Sequence, residues 1–265
     1  MNTAPVADLH IHTTASDGVL TVGQLPRAAR RAGVEWVAVT DHDLIHPALS
    51  APVTTHEAVT VIRGIELRVD AGDQRVDLLG YGVEPTAELE AELNRLQADR
   101  QTRGRRIIEQ VEAHLGVELP VEPRPGLGRP HIARAIEDSE ADYDVDRAFA
   151  ELIGNDGPCY VPRAVTPVDR GVELLSNSAA VVSLAHPFRY PDPEAALELA
   201  AQLDAVEYAY PYGRPVDTEL LDEVCETHGL IRTGGSDAHD KQVGRAGLDR
   251  ETFARFRRRL QRTLG

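Results

Sequence analysis

The sequence predicts an α/β fold, a barrel-like core of strand–helix units with a helical cap inserted into it. Two observations predict this. Strand-like and helix-like patterns alternate through the first and last thirds of the 265-residue chain, and that alternation marks βα units around a parallel sheet. The middle third breaks the rhythm with charged, helix-rich sequence. The expected division is therefore a core of 1–84 with 155–265 and an insertion of 85–154.

The elements follow in order. Residues 6–12 read as a strand. Residues 25–32 read as a helix stopped by Gly33, since glycine readily adopts the left-handed turn that ends helices. Residues 36–40 and 59–65 are β-rich runs, and 74–80 form a strand ending in glycine. Within 85–115, Leu89, Leu93, Leu96, Ile107, Ile108 and Val111 recur at helical spacing. One long helix, or two kinked near Gly104, is expected there. Residues 119–130 carry four prolines and read as a linker, and 131–154 as helix in two pieces. The alternation then resumes. Helices are expected at 167–175, 193–203, 216–228 and 250–264, and strands at 180–185 and 205–210, with 230–235 leading into a loop. No internal repeat or low-complexity tract occurs.

Composition narrows the class. The chain has 28 basic and 43 acidic residues and a formal net charge of −15. That sign argues against broad adhesion to nucleic acid or anionic lipid, so no double-stranded nucleic acid or membrane partner is expected. The apolar runs fall far short of the ~20 residues of a membrane helix. The first five residues are short and polar, with Asp8 and His10 close behind, so no targeting signal is expected. The two cysteines, Cys159 and Cys225, exclude a disulfide framework and suit a reducing cytoplasm, where they serve as packing residues.

Chemistry-bearing residues gather at expected strand ends. His10 and His12 are two apart in a strand and share a face with Asp8. Asp17-Gly18 lies in the next loop, and Thr40-Asp41-His42-Asp43 closes the second strand. Gly64-Ile65-Glu66 ends the third, His186 follows the apolar strand 180–185, and Ser236-Asp237-Ala238-His239 follows a Gly-Gly pair. Strand ends in α/β barrels converge on one rim. A single His-x-His or Asp-x-His is weak evidence, since alternate polar residues often face solvent. The joint set points to divalent metal ions, Mn, Zn or Fe, held by imidazole nitrogen and carboxylate oxygen. Such clusters activate water and clamp phosphoryl groups. His46, His56, His114 and His228 fall outside every motif and read as surface or helix histidines.

Together, Asp8-Leu9-His10-Ile11-His12, Ser16-Asp17-Gly18, Thr40-Asp41-His42-Asp43, Gly64-Ile65-Glu66, Ala185-His186-Pro187 and Gly235-Ser236-Asp237-Ala238-His239 resemble the motifs of the PHP (polymerase and histidinol phosphatase) superfamily. The resemblance implies a distorted (β/α)7 TIM-like barrel with a trinuclear centre. It implies His10, His12, Asp17, His42, Glu66, His186, Asp237 and His239 as ligands, with Glu66 bridging. Asp8 and Asp41 are expected behind them, orienting imidazoles. Gly128-Arg129-Pro130-His131-Ile132-Ala133-Arg134, Gly157-Pro158-Cys159-Tyr160-Val161-Pro162 and His186-Pro187-Phe188-Arg189-Tyr190 resemble the branch of 3′,5′-nucleotide bisphosphate phosphatases and 5′→3′ oligoribonucleases. The helical insertion covers the metal rim in that branch. The resemblance further implies that Arg134 and Arg189 contact substrate phosphate and that His131 lies near the reaction centre. One position departs: the branch usually carries histidine where this chain has Asp77. Aspartate still binds Mn or Mg but adds negative charge, so two or three divalent ions are expected, the third weaker, different or absent.

The function implied is a metal-dependent phosphoesterase, phosphatase or exonuclease, with a small nucleotide bisphosphate or short 5′-phosphorylated RNA as substrate. His186 and His131 are the candidate proton donors, and Asp237 is essential. The rivals are a histidinol-phosphate-type phosphatase and a non-catalytic metal-binding regulatory module. Separately, Lys241 is the only lysine. An acidic, lysine-poor surface arises by adaptation to a salt-rich cytoplasm or by codon bias toward arginine. Salt adaptation predicts a melting temperature that rises with KCl; a protein most stable without salt rejects it.

Overall fold

A computed structural model describes residues 4–265. Met1–Thr3, part of the stretch read for a targeting signal, lie outside the described residues. Among the described residues, strands β1 (Ala7–Ile11), β2 (Trp36–Val39), β3 (Val53–His56), β4 (Val59–Asp70), β5 (Arg75–Tyr81), β6 (Thr166–Pro167), β7 (Val181–Leu184), β8 (Ala205–Ala209) and β9 (Ile231–Gly234) form one sheet. Its spine runs β1-β2-β4-β5-β7-β8-β9, with β3 and β6 pairing to β4. The helices are α1 (Leu25–Ala32), α2 (Ala87–Leu115), α3 (Arg129–Glu137), α4 (Val145–Ala148), α5 (Val168–Ser176), α6 (Pro193–Ala200), α7 (Thr218–His228) and α8 (Arg250–Leu264). By contacts the chain divides into Met1–Glu90 with Val165–Gly265, and Ala91–Ala164.

In the first unit the flanks of the sheet are parallel, as the βα rhythm requires: β1 with β2, β2 with β4, β7 with β8 and β8 with β9. The middle differs from expectation. β3 with β4, β4 with β5, and β5 with β7 are antiparallel. The run expected at 59–65 is a twelve-residue strand, and its outer half pairs with β5 as a long arm. The sheet curls until its two edges meet. The amide of His12 donates to the Ala238 carbonyl at 3.1 Å, just beyond β9. Gly235 stands at this seam. A Cβ there would lie 2.3 Å from the His10 nitrogen, so only glycine lets the edges approach so closely.

Helix ends obey local chemistry. Gly33 closes α1 at φ 77°, and Gly229 closes α7 at φ 65°. The Asp217 and Asp249 side chains accept the amide N–H groups of Leu220 and Thr252 at the starts of α7 and α8. Phe253, Phe256 and Leu260 of α8 join Leu9, Ile62, Leu79 and Tyr81 in one core cluster. Leu25 and Ala29 of α1 join Val37, Val39, Val59 and Val61 in another.

In the second unit, Ile107, Ile108 and Val111 of α2 pack with Ile132, Ala133 and Ile136 of α3 and with Leu152 and Ile153 of a π-helical turn after α4. α2 is unbroken, so the kink considered near Gly104 does not form. Gly104 instead leaves room for Leu127, whose methyl would sit 2.4 Å from a Cβ. Among the described residues, no helix is long and apolar enough to cross a membrane. Both cysteines are buried and unpaired.

Gly235→Ala should lower stability by about 1–3 kcal/mol through backbone overpacking at the seam. A drop in melting temperature checks this; an unchanged melt would show that the edges do not meet as described.

Candidate metal centre

The candidate side chains are delivered by five strands of the sheet. β1 carries His10, and His12 follows one residue beyond its end, two positions on and on the same side. The turn after β1 carries Asp17, and the segment after β2 carries His42. His42 and Glu66 form an isolated parallel bridge. Glu66 lies within β4 rather than at its end, because β4 continues into its arm. His186 leaves β7, and Asp237 and His239 leave β9. His10, His12, Glu66, His186, Asp17 and Asp237 are buried.

Three carboxylates sit among five imidazoles. Glu66 Oε2 lies 2.7 Å from His42 Nδ1 and 3.4 Å from His12 Nε2. Glu66 Oε1 lies 3.0 Å from His186 Nε2 and 3.4 Å from His10 Nε2. Asp237 Oδ1 lies 3.1 Å from His12 Nε2 and 3.4 Å from His239 Nδ1. Asp17 reaches His239 Nε2 at 3.2 Å and His42 Nε2 at 3.7 Å. Within this set, three groups have ligand atoms all within 4.8 Å of one another: His12–Asp17–His42–His239, His10–His12–Asp237 and His10–Glu66–His186.

The donor set fits divalent cations. Among the described residues, His10 Nε2, both ring nitrogens of His12, Asp17 Oδ1 and Glu66 Oε2 are buried without a hydrogen bond. Buried polar atoms are normally satisfied, and a cation bound among these atoms would satisfy them together. In the absence of ions, charge is exchanged within the cage. Burial alone would lower the pKa of His10, but Glu207, Asp237 and Glu66 outweigh it and hold that pKa well above its ordinary value. Burial and the neighbouring His42 and His239 push His12 down instead. Burial would raise Glu66, yet His42 and His10 hold it well below the carboxylate range. Asp237 is likewise held low, against burial, by His10 and His12. Burial would lower His239, but Asp17 raises it.

The two aspartates expected to orient imidazoles do something else. Asp8 accepts from the Ser236 amide at 2.8 Å, the Ser236 hydroxyl at 2.6 Å and the Gly244 amide at 2.7 Å. Asp41 accepts from the Thr13 amide and hydroxyl, both at 2.7 Å, and from the Ser16 hydroxyl at 2.6 Å. They fix the loops that carry Asp237 and Asp17. The imidazole-orienting carboxylate is Glu207 on β8, which faces His10 Nδ1 at 3.1 Å and accepts the His186 amide at 2.8 Å. Sequence reasoning passed over Glu207; an acid inside the apolar strand 205–210 was its signal. Tyr210 was also missed; its hydroxyl donates to Asp237 Oδ2 at 2.8 Å.

Arg189 reaches the centre, with Nη1 3.0 Å from Asp237 Oδ2. Asp77 belongs to none of the three groups, and both its oxygens accept from Arg68. Arg134 is exposed on α3, and His131 Nδ1 accepts the Gly128 amide at the start of that helix. His46 is buried rather than on the surface, with Nδ1 accepting the Ala48 amide at 3.2 Å. His56, His114 and His228 are exposed as expected.

The family model described as the PHP domain matches residues 8–145, just over half of the chain. The chain belongs to the PHP domain family. It is 29% identical over 253 residues to the 5′-3′ exoribonuclease Rnm of Escherichia coli strain K12, covering 90% of this chain and 86% of that protein. It is 28% identical over 247 residues to the 3′,5′-nucleoside bisphosphate phosphatase of Chromobacterium violaceum, covering 88% and 86%. Among solved structures, a candidate metal-dependent phosphoesterase from Bifidobacterium adolescentis superposes with a TM-score of 0.81 at 25% identity, covering 97% of this chain and 98% of that one.

These ionisations fix how stability should respond to pH. With ions removed by chelator, Glu66 and Asp237 contribute stability that is present above their ordinary values of 4.5 and 3.8 and lost as pH falls through their lower folded values. His10 and His239 contribute stability that is complete below 6.5 and declines as pH rises toward their higher folded values. The chelated protein should therefore melt at progressively lower temperature as pH climbs above about 6.5. Added Mn²⁺ binds deprotonated ligands and releases protons, so its gain in melting temperature should grow between about pH 5 and pH 8. A gain independent of pH would contradict this charge distribution.

Proposed function

We propose that this PHP family member is a metal-dependent phosphoesterase acting on small phosphorylated nucleotides or short 5′-phosphorylated RNA. One observation carries it: five imidazoles and three carboxylates converge from separate strands, with buried ligand atoms left unsatisfied. His10, His12, Asp17, His42, Glu66, Asp237 and His239 are the assigned ligands, with Glu66 between groups and His186 available only to a third ion. Mn is the favoured ion, with Zn, Fe or Mg as alternatives. Ions so held supply an acidified water and neutralise charge developing on phosphoryl oxygens.

The side chains do the positioning. Glu207 fixes the His10 ring so that Nε2 faces Glu66 and Asp237. Tyr210 donates to Asp237 Oδ2, leaving Oδ1 for the centre. Burial holds the phenol pKa of Tyr210 above its ordinary value, so it remains a donor at neutral pH. Arg189 is half-exposed and tethered to the same Oδ2. Its planar fork of donors suits phosphate oxygens. His186 Nε2 lies 3.0 Å from Glu66 Oε1, a contact that engages the ring with that carboxylate rather than with a leaving group. The relatives' names support the substrate class, and the cysteine usage supports a cytoplasmic location.

Hydrolysis of adenosine 3′,5′-bisphosphate, a 5′-phosphorylated trinucleotide and histidinol phosphate, each with Mn²⁺, tests the proposal. The first two should turn over in preference to the third. His12→Ala and Asp237→Ala should abolish turnover; full activity in either would defeat the assignment. Arg189→Ala should raise KM by about 10- to 100-fold, the scale of one lost charge-assisted hydrogen bond. No hydrolysis of any of these esters would favour the non-catalytic module.

A further inference from the structure

We propose that the Arg68 guanidinium is a built-in cation beside Asp77, and that the centre therefore holds two divalent ions rather than three. The inference rests on the metal-centre reading above and concerns its ion count alone.

The third ligand group, His10–Glu66–His186, has one carboxylate, Glu66, beside two imidazoles. It shares His10 with the second group, and Glu66 also faces His42 of the first. The carboxylate next to it is Asp77, with Oδ2 3.9 Å from His186 Nε2. Asp77 is 1% exposed and so is placed to complete a third site. Its oxygens are already engaged. Arg68 Nε donates to Oδ1 at 2.7 Å and Nη2 donates to Oδ2.

The pairing is built into the sheet. Arg68 and Asp77 are directly opposite in the antiparallel register of β4 and β5, so their side chains share a face. Arg68 also follows Glu66 by two residues, which puts both on that face. The Asp77 backbone is fixed from both sides. Its amide donates to the Tyr190 hydroxyl at 2.8 Å, and its carbonyl accepts the Ala185 amide at 3.0 Å. With the backbone fixed, what keeps the carboxylate from turning toward His186 is its bidentate pairing with Arg68.

Charge points the same way. A bidentate guanidinium engages both oxygens of a carboxylate. Arginine is charged at every physiological pH, so Arg68 stands beside Asp77 as a fixed cation. A third divalent ion would have to displace that arginine, stranding a buried carboxylate geometry made for it, or lie against its positive charge. With Asp77 neutralised, Asp17, Glu66 and Asp237 carry three negative charges. Two divalent ions already exceed these by one, leaving positive charge for a phosphate.

Mn²⁺ stoichiometry on the folded full chain tests this, by titration calorimetry after chelation and by elemental analysis after dialysis. The wild type should bind two ions per chain. Arg68→Met should release Asp77 and admit a third, weaker ion. Asp77→Asn should stay at two. Three ions in the wild type, two in a folded Arg68→Met, or fewer than two in Asp77→Asn would each overturn the inference. Should Arg68→Met fail to fold, the wild-type and Asp77→Asn counts decide. Binding of no ion at all would instead remove the metal-centre reading beneath it.

Discussion

Like charges buried together are the constraint on which this molecule depends. Asp17, Glu66 and Asp237 approach one another inside protein, where water cannot separate their fields. Such a cluster is strongly unfavourable unless positive charge stands among it. Five imidazoles meet part of the need by drawing protons inward, which is why His10 and His239 are raised while Glu66 and Asp237 are depressed. The compensation is incomplete. His12, ringed by other imidazoles, is pushed the opposite way, and both of its nitrogens remain unsatisfied. A cage that must borrow protons to hold itself together is one that divalent cations would stabilise far better.

Holding such a cage requires backbone support that does not consume the ligands. Asp8 and Asp41 provide it by binding amides and hydroxyls of the 236–244 and 13–16 segments. Glu207 ties the exits of β1 and β7 with one carboxylate. The backbone itself is held in unusual conformations where the site demands them. His186 sits at φ 27° and Asp237 at φ 49°, left-handed values that non-glycine residues adopt sparingly. At His186, which precedes a proline, the conformation is doubly disfavoured. It persists because Glu207 holds its amide and Tyr190 holds the carbonyl before it.

The ligand types were legible because chemistry restricts them. Histidine and acid beside apolar strands have few other uses in such number, so His10, His12, His42, His186 and Asp237 stood out. Helix α8 and the start and end of α1 were legible from periodicity and from Gly33. The β3–β4 hairpin was hidden because its turn, Glu57–Ala58, adopts φ 48° and 66° with neither glycine nor asparagine to announce it. Without that hairpin, β4 read as an ordinary parallel strand, and its outer half went unseen. Glu207 and Arg68 were hidden for a related reason. An isolated charge in a strand gains meaning only from what lies across the sheet, and the register of β4 against β5 appears nowhere in local sequence.

Net charge and site charge act on different length scales. A chain at −15 repels polyanions at distances where individual side chains blur. Within a Debye length of about 8–10 Å the local groups dominate, and here these are Arg189, tethered to Asp237, and Arg68, tethered to Asp77. Both arginines are neutralised on one edge and part-exposed on the rest. This arrangement discriminates by length. A small phosphorylated ligand meets chiefly the local field once it arrives, whereas a long strand also meets the net negative charge of the chain. The bulk charge thus works with the site: it disfavours extended nucleic acid and leaves small or short phosphorylated molecules, the substrate class proposed above, as the anions that fit.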